Sequence, residues 1–327
     1  MTTNEAFEDF LENKVNLNLD RQKRIQKAEE VLTKFISGSD NFKDIYIKAV
    51  SQGSYRQGTI IKPVDDDGEF DVDLLLELKE MSEWEPKTYL VKLAEIFKDS
   101  DRYKDITETA GKTRCVTIDY EGDFHADLVP SIKKDGKSYV FNKNTNKLEE
   151  TDGDGYAQWF ASQNLSASGH LVDIVKLIKY LRDRSVQFDT KSIIITTLAG
   201  IMVVPGGSYN SVSESFAVIL AELSNFLNQH DEPPTIENPA MPLEKFNRHW
   251  KGDIEGFKKL KKAVSKYAKI ANDALALSDD EALDKWRELF GDEFALTEVN
   301  KINLTGPVKN NSNSSGGFSP SKPWCQL

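Results

Sequence analysis

VSQGSYRQGTIIKPVDDDGEFDVDLLLEL, running from Val50 to Leu78, decides how the rest of the chain is read. The alternation Ile45, Ile47, Ala49 leading into it predicts a strand. Gly53 and Ser54 then predict a turn that opens a short helix. Glycine takes backbone angles that other residues reach only at a cost. Ser54 falls where unpaired helix N–H groups can seat phosphate oxygens. Asp71 and Asp73 stand two apart in a second strand, so both carboxylates leave one face of the sheet, while Val72, Leu74, Leu76 and Leu78 take the other. Adjacent carboxylates raise each other's pKa unless a cation neutralises them. Hard, oxygen-seeking Mg²⁺ suits them and commonly brings substrate phosphates with it. Asp-x-Asp alone is more often a solvated strand start. Joined to Gly53-Ser54 and a third acid downstream, it points to metal-assisted nucleotide chemistry.

The third acid comes from the next pair of strands. Thr113 to Tyr120 alternates as a strand, and a turn at Glu121-Gly122-Asp123 returns the chain through Phe124-His125-Ala126-Asp127-Leu128-Val129-Pro130. A hairpin beside the Asp-x-Asp strand would set Asp127 next to Asp71 and Asp73. Three carboxylates can hold two cations that clamp the attacking and leaving oxygens of an in-line displacement. Asp127 could also take the proton of an attacking hydroxyl. Asp119 and Asp123 compete for the place, but Asp119 alternates off the core face and reads as solvated, and Asp123 belongs to the turn. His125, set in an apolar strand, reads as a packed, hydrogen-bonded histidine before it reads as a base.

Around this centre the chain is mostly helical. Ala6 to Ile36 predicts helix with a break near Asn16–Asp20 and Asp20 as N-cap of the second half. Thr88 to Phe97 predicts a short amphipathic helix. Lys133 to Gly155, polar and rich in Gly, Asp and Asn, predicts a surface excursion. Gly169 to Arg184 predicts a helix with Leu171, Ile174, Val175, Ile178 and Leu181 inward and Lys176, Lys179 and Asp183 on another face. Thr190-Lys191-Ser192 caps an apolar helix from Ile193 to Val204, so Ser192 offers a second hydroxyl at a helix start. A lysine pair on a helix is ordinarily a solvated face; next to a second phosphate-friendly helix end, Lys179 and Ser192 could answer a triphosphate held at the aspartates. Further helices are expected over Ser213–Gln229, Trp250–Leu277 and Asp279–Phe290, with a proline-rich loop from Asp231 to Pro242. The lysines between Lys258 and Lys269 read as a solvated face rather than an RNA patch.

The 327 residues carry a formal net charge of −11, with 39% hydrophobic and 29% charged residues, the profile of a globular chain long enough for two lobes. That acidity argues against a protein built to coat long nucleic acid. The start of the chain has no secretory pattern and no run is long enough to span a bilayer, so a cytoplasmic protein with no membrane partner is expected. The four scattered histidines give no zinc pattern. From Gly306 onward Asn, Ser, Gly and Pro predict a flexible tail ending near Trp324.

Gly53-Ser54-Tyr55-Arg56-Gln57-Gly58-Thr59, Asp71-Val72-Asp73 and Asp127-Leu128-Val129-Pro130, followed by Leu177-Ile178-Lys179-Tyr180-Leu181 and Lys191-Ser192, resemble the bacterial CD-NTase family. These are relatives of cyclic GMP–AMP synthase and oligoadenylate synthase. The resemblance extends to about residue 290. It implies an α+β fold: a polymerase-β-like nucleotidyltransferase core with a mixed sheet and helices, a helical second lobe, and an active site in the cleft between them. Residues 1–165 would form the core with its N-terminal clamp helix, 166–305 the helical lobe, and 306–327 the tail. The resemblance further implies two Mg²⁺ ions, with Mn²⁺ as a substitute, on Asp71, Asp73 and Asp127. It implies a donor triphosphate held by Gln52, Gly53, Ser54, Lys179 and Ser192. The implied activity joins NTPs, ATP among them, into a cyclic di- or trinucleotide second messenger with release of pyrophosphate. Antiphage defence, a regulatory protein partner and an effector reached through the product are implied as well. The competing expectation is transfer of a nucleotide to an RNA, protein or small-molecule acceptor, and a third is a nucleotide-binding module without catalysis.

Overall fold

The computed structural model describes residues 1–295 apart from 65–67, 121, 186 and 251. Glu121 of the expected turn and the tail expected from residue 306 therefore lie outside the described residues. The fold is α+β, with a mixed sheet flanked by helices.

By contacts the chain divides into two units. One contains Leu17–Ala161 and Glu237–Arg248; the other contains Met1–Asn16, Ser162–Ile236 and the described residues from 249 onward. The division at Asn16 falls where the N-terminal helices break. Helix α1 (Thr3–Phe10) runs into a π-helical turn at Leu11–Val15, and α2 (Leu19–Gly38) starts afresh. Its cap is Asn18 and not Asp20: Asn18 keeps extended backbone angles and its side chain accepts the Arg21 amide at 2.8 Å, whereas Asp20 already lies in the first turn.

In the sheet unit, β1 (Tyr46–Gln52), the single turn α3 (Gly53–Arg56), β2 (Phe70–Leu78), α4 (Pro86–Lys98), β3 (Thr107–Glu108), β4 (Val116–Tyr120) and β5 (Phe124–Lys134) follow in order. The sheet order is β1-β2-β5-β4-β3; β2 and β5 run parallel and the other neighbours antiparallel. Val72, Leu74, Leu76 and Leu78 bury their side chains with Ile25, Leu32 and Ile36 of α2 and Leu90, Leu93 and Phe97 of α4. Burying each such side chain contributes about 1.5–3 kcal/mol. A smaller cluster of Cys115, Val129 and Val140, with Leu75, occupies the other face below the aspartates.

The expected surface excursion from Lys133 to Gly155 is instead a continuation of the sheet. β6 (Lys137–Asn142) pairs with the end of β5, and β7 (Lys147–Thr151) pairs with β6. The turn between β5 and β6 holds Asp135 and Gly136 at φ 51° and 76°, the two positive values that a tight hairpin turn requires. Phe141 is buried and stacks on Tyr89 with ring centroids 4.0 Å apart. Helix α5 (Gly153–Ser166), absent from the sequence reading, follows.

The helical unit contains α6 (Leu171–Ser185), α7 (Ser192–Ile201), α8 (Val212–Asn228), the 22-residue helix α9 (Ile254–Leu275) and α10 (Asp279–Phe290). Every member of the expected α6 stripe is buried, as are Phe257, Leu260, Val264, Tyr267 and Ala271 of α9. Phe7 of α1 meets Trp286 edge-on, with centroids 4.9 Å apart, and Phe10 meets Tyr180 at 5.1 Å. Helix α7 stops at Ile201, before the turn at Pro205-Gly206, rather than reaching Val204. The proline-rich stretch from Asp231 contains β8 (Glu237–Asn238), which pairs with β9 (Met241–Lys245). Among the described residues no helix is long and apolar enough to cross a membrane.

Candidate active site

Strand register assembles the acid face. Gln52 of β1 lies opposite Asp73 of β2, Asp73 opposite Asp127 of β5, and Asp127 opposite Thr117 of β4. One pair further along, Asp71 lies opposite His125 and His125 opposite Asp119. Partners across a ladder share a face, so Asp71, Asp73, Asp119 and Asp127 stand together on the side away from α2 and α4. The expected juxtaposition of Asp127 with Asp73 follows from a parallel β2–β5 pairing.

Gly53 closes the end of this row. Its φ is +59°, and a Cβ there would run into the Asp73 carboxylate. Both the backbone angle and the space therefore demand glycine. Beside it, Gln52 is held by another close approach, since a Cβ on Gly153 would strike the Gln52 amide. The Gln52 Nε2 is buried without a hydrogen-bond partner among the described residues, a donor that a bound oxygen would satisfy. Ser54 belongs to α3, whose four residues are too few to build a sizeable dipole. What α3 offers is a tight turn of backbone, closed by the Thr59 amide donating to the Ser54 carbonyl at 2.8 Å. Arg56 is drawn aside to Asp154 at 2.5 Å.

The aspartates differ in environment. Asp71 keeps 28% of its side chain exposed, Asp73 is 7% exposed and Asp127 is fully buried. Burial pushes the Asp127 carboxyl above the usual carboxylate range, opposed first by the Lys112 ammonium and then by the Thr117 hydroxyl. Thr117 Oγ1 donates to Asp127 Oδ1, and Lys112 Nζ lies 3.7 Å from the same oxygen. These are hard oxygen donors at a place where burial makes a carboxylate want a cation, and they fit Mg²⁺ or Mn²⁺. Next to them, Glu69, Asp119 and His125 bring ligand atoms within 4.8 Å of one another. His125 Nε2 is 3.2 Å from Glu69 and 3.5 Å from Asp119, and its Nδ1 is 3.7 Å from Asp71. His125 is thus ringed by acids rather than packed in an apolar sandwich, and Asp119 pairs with it rather than standing in solvent. Asp123, expected only to make a turn, binds Arg24 at 3.1 Å.

The second expected group lies in the helical unit. Lys179 does not sit on a solvated face: it is 3% exposed, and burial, then the Arg182 charge, pull its pKa down to about 7. Lys176 is likewise half-buried, and donates to Asn16 at 2.8 Å. Ser192 is the first residue of α7, not its cap; Lys191 holds the N-cap position, and its side chain does not cap the helix. Arg182, which the sequence reading passed over, donates from Nη1 to Ser192 Oγ and to the Thr190 carbonyl, both at 3.0 Å. Its other nitrogens bind Asp183 at 2.6 and 3.2 Å. The signal available was position: Arg182 follows Lys179 by three residues, one turn along the same helix.

Comparison with known proteins agrees with this chemistry. Residues 1–164 match the Second Messenger Oligonucleotide or Dinucleotide Synthetase domain. A c-di-GMP synthase of Roseivirga ehrenbergii is 29% identical over 275 residues, covering 74% of this chain and 72% of that protein. A cyclic AMP-AMP-AMP synthase of an Acinetobacter species is 24% identical over 312 residues, 92% of this chain and 88% of that one. Among solved structures, E. coli MS115-1 CdnC with ATP superposes with a TM-score of 0.68 at 17% identity, over 89% of this chain and 98% of its own. The same protein is known in complex with HORMA-deltaN. At that identity the likeness establishes a shared fold.

Proposed function

We propose that this chain, which belongs to the Second Messenger Oligonucleotide or Dinucleotide Synthetase family of CD-NTases, joins NTPs into a cyclic di- or trinucleotide at the acid face of its sheet. It is a nucleotidyltransferase, a cyclic oligonucleotide synthase acting on nucleoside triphosphates. The observation that carries the site is the row Gln52, Asp73, Asp127 across three neighbouring strands, with Gly53 pressed against Asp73.

In this reading Asp71, Asp73 and Asp127 hold two Mg²⁺ ions, with Mn²⁺ able to replace them. The bound cations supply charge neutralisation at the attacking and leaving oxygens. Gln52, Gly53 and Ser54 receive the triphosphate at the α3 turn, and Lys179 and Ser192 are carried as further triphosphate contacts. Asp127 accepts the proton of the acceptor hydroxyl. A bond forms from that hydroxyl oxygen to the α-phosphorus, the bond to the β-phosphate breaks, and pyrophosphate leaves. A second such step closes the dinucleotide ring, and a third closes a trinucleotide. Positioning and electrostatics account for most of the rate of such a transfer.

The adenine-containing product draws support from the cyclic AMP-AMP-AMP synthase, while the c-di-GMP synthase argues for GTP. A cytoplasmic setting in antiphage (CBASS) defence, with an effector reached through the product, completes the reading. The CdnC complex with HORMA-deltaN supports a regulatory protein partner. The test is incubation of purified protein with labelled NTPs and Mg²⁺ or Mn²⁺, followed by phosphatase. A phosphatase-resistant product, lost in Asp71→Asn/Asp73→Asn, is expected, and omitting each NTP names the bases. Label that instead passes only to added RNA or protein would replace cyclisation by acceptor modification.

A further inference from the structure

The segment ahead of β4 carries a lysine into the interior of the sheet unit. The Lys112 side chain is 4% exposed, and its ammonium lies 3.7 Å from Oδ1 of Asp127, itself fully buried. Lysine is seldom buried to this extent without a partner. The position of Lys112 therefore has to be explained by what it faces. Thr117, next to Asp127 in register, donates its hydroxyl to the same Oδ1. A neutral donor and a charged group thus converge on one oxygen of the innermost acid. The segment is also anchored independently of the acids: the Lys143 amide donates to the Thr113 carbonyl at 3.0 Å, and Arg114 binds Glu149 at 2.5 Å.

We propose that Lys112 is a positioning residue that holds the Asp127 carboxylate oriented and charge-balanced before a divalent cation arrives, and so sets how tightly the acid face binds that cation. The inference rests on the reading above, in which Asp127 is a metal ligand. A buried carboxylate with no cation beside it is costly, and losing one member of a buried ion pair leaves the other uncompensated. Lys112 supplies that cation from within the chain. The same charge acts against an incoming Mg²⁺, because two like charges sharing one carboxylate repel in a poorly screened interior. Lys112 thereby keeps the metal-free protein folded and weakens its grip on the metal.

The experiment is Mn²⁺ titration calorimetry on the full chain, together with melting curves with and without Mn²⁺. Lys112→Met should melt below the unsubstituted protein without metal, gain more from added Mn²⁺, and bind Mn²⁺ on the order of tenfold tighter. Lys112→Arg, which keeps the charge, should stay close to the unsubstituted protein in affinity. If Lys112→Met does not fold, Lys112→Gln, which keeps a donor without the charge, carries the same expectation. Unchanged or weaker Mn²⁺ binding in the neutral variant overturns the proposal, since a residue that merely fills space would not tighten metal binding when removed. Asp127→Asn separates this from the reading beneath it. If Asp127→Asn weakens Mn²⁺ binding and the neutral Lys112 variants leave it unchanged, only the role of Lys112 falls. If Asp127→Asn leaves Mn²⁺ binding intact, Asp127 is not a ligand and both fall.

Discussion

At Gly53 two demands meet on one α-carbon: a positive φ of 59° and room for the Asp73 carboxylate. Gly53→Ala should cost about 1–2 kcal/mol in urea unfolding from the backbone alone. It should also lower product formation at least several-fold, because the new methyl displaces Asp73. Gly206→Ala is the comparison: its φ is +78°, but nothing lies near the added methyl, so it should lose stability and keep activity. Lys179 gives a prediction in pH. Its folded pKa is lowered to about 7, by burial first and the Arg182 charge second. The unfolded chain therefore holds this proton up to about pH 10.4 while the folded chain releases it near 7. Below 7 both states are charged and the burial penalty is felt in full; stability should rise as pH climbs through the window between the two values. Urea unfolding at pH 7 and pH 9 tests this, and Lys179→Met should be more stable at pH 7 and lack that rise. The glycine and the acids were legible as residue types with a spacing. The burial of Lys179 was not, because a lysine beside another lysine on a helix looks the same in sequence whichever way its face turns.

Among the elements, the α6–α7 corner depends on Arg182. Its guanidinium joins the Thr190 carbonyl, the Ser192 hydroxyl and the Asp183 carboxylate. Arg182→Met should destabilise the fold by about 1–3 kcal/mol by leaving buried partners unsatisfied. If Ser192 meets the triphosphate, KM for NTP should rise more than kcat falls. Arg182→Lys should not restore it, since a single ammonium cannot reproduce the planar fork; NTP-dependence of product formation measures both. Helices with one apolar stripe were legible, and α10 has the bounds expected for it. Strands β6 and β7 were not, because their half-exposed faces give them a loop-like polar composition. The Asp135-Gly136 pair was the available signal, and its positive backbone angles show what it does. Helix α5 was missed for a different reason: it buries only Tyr156 and Phe160, too few apolar side chains to mark a face.

For the whole molecule, the net charge of −11 predicts negligible binding to a long DNA duplex at physiological salt. Fluorescence anisotropy with a labelled duplex checks this; salt-sensitive binding would show that the basic face of α9 outweighs the rest. That face is already partly neutralised, by Glu255 on Lys258 and Asp273 on Lys269 at 2.9 and 2.8 Å. The sequence by itself determined which residues could do phosphoryl-transfer chemistry: a glycine-serine turn, two aspartates on one strand face, and a third on a returning strand. It could do so because period and turn chemistry are local properties. Only the tertiary structure decided the company those residues keep. Parallel pairing of β2 with β5 set Asp73 against Asp127, antiparallel pairing of β4 with β5 set Asp119 beside His125 with Glu69 close by, and the segment ahead of β4 buried Lys112 beside the innermost acid. The physical reason is that strand register and burial are settled between segments far apart in the chain, and a residue's charge environment comes from neighbours that its own stretch of sequence does not contain.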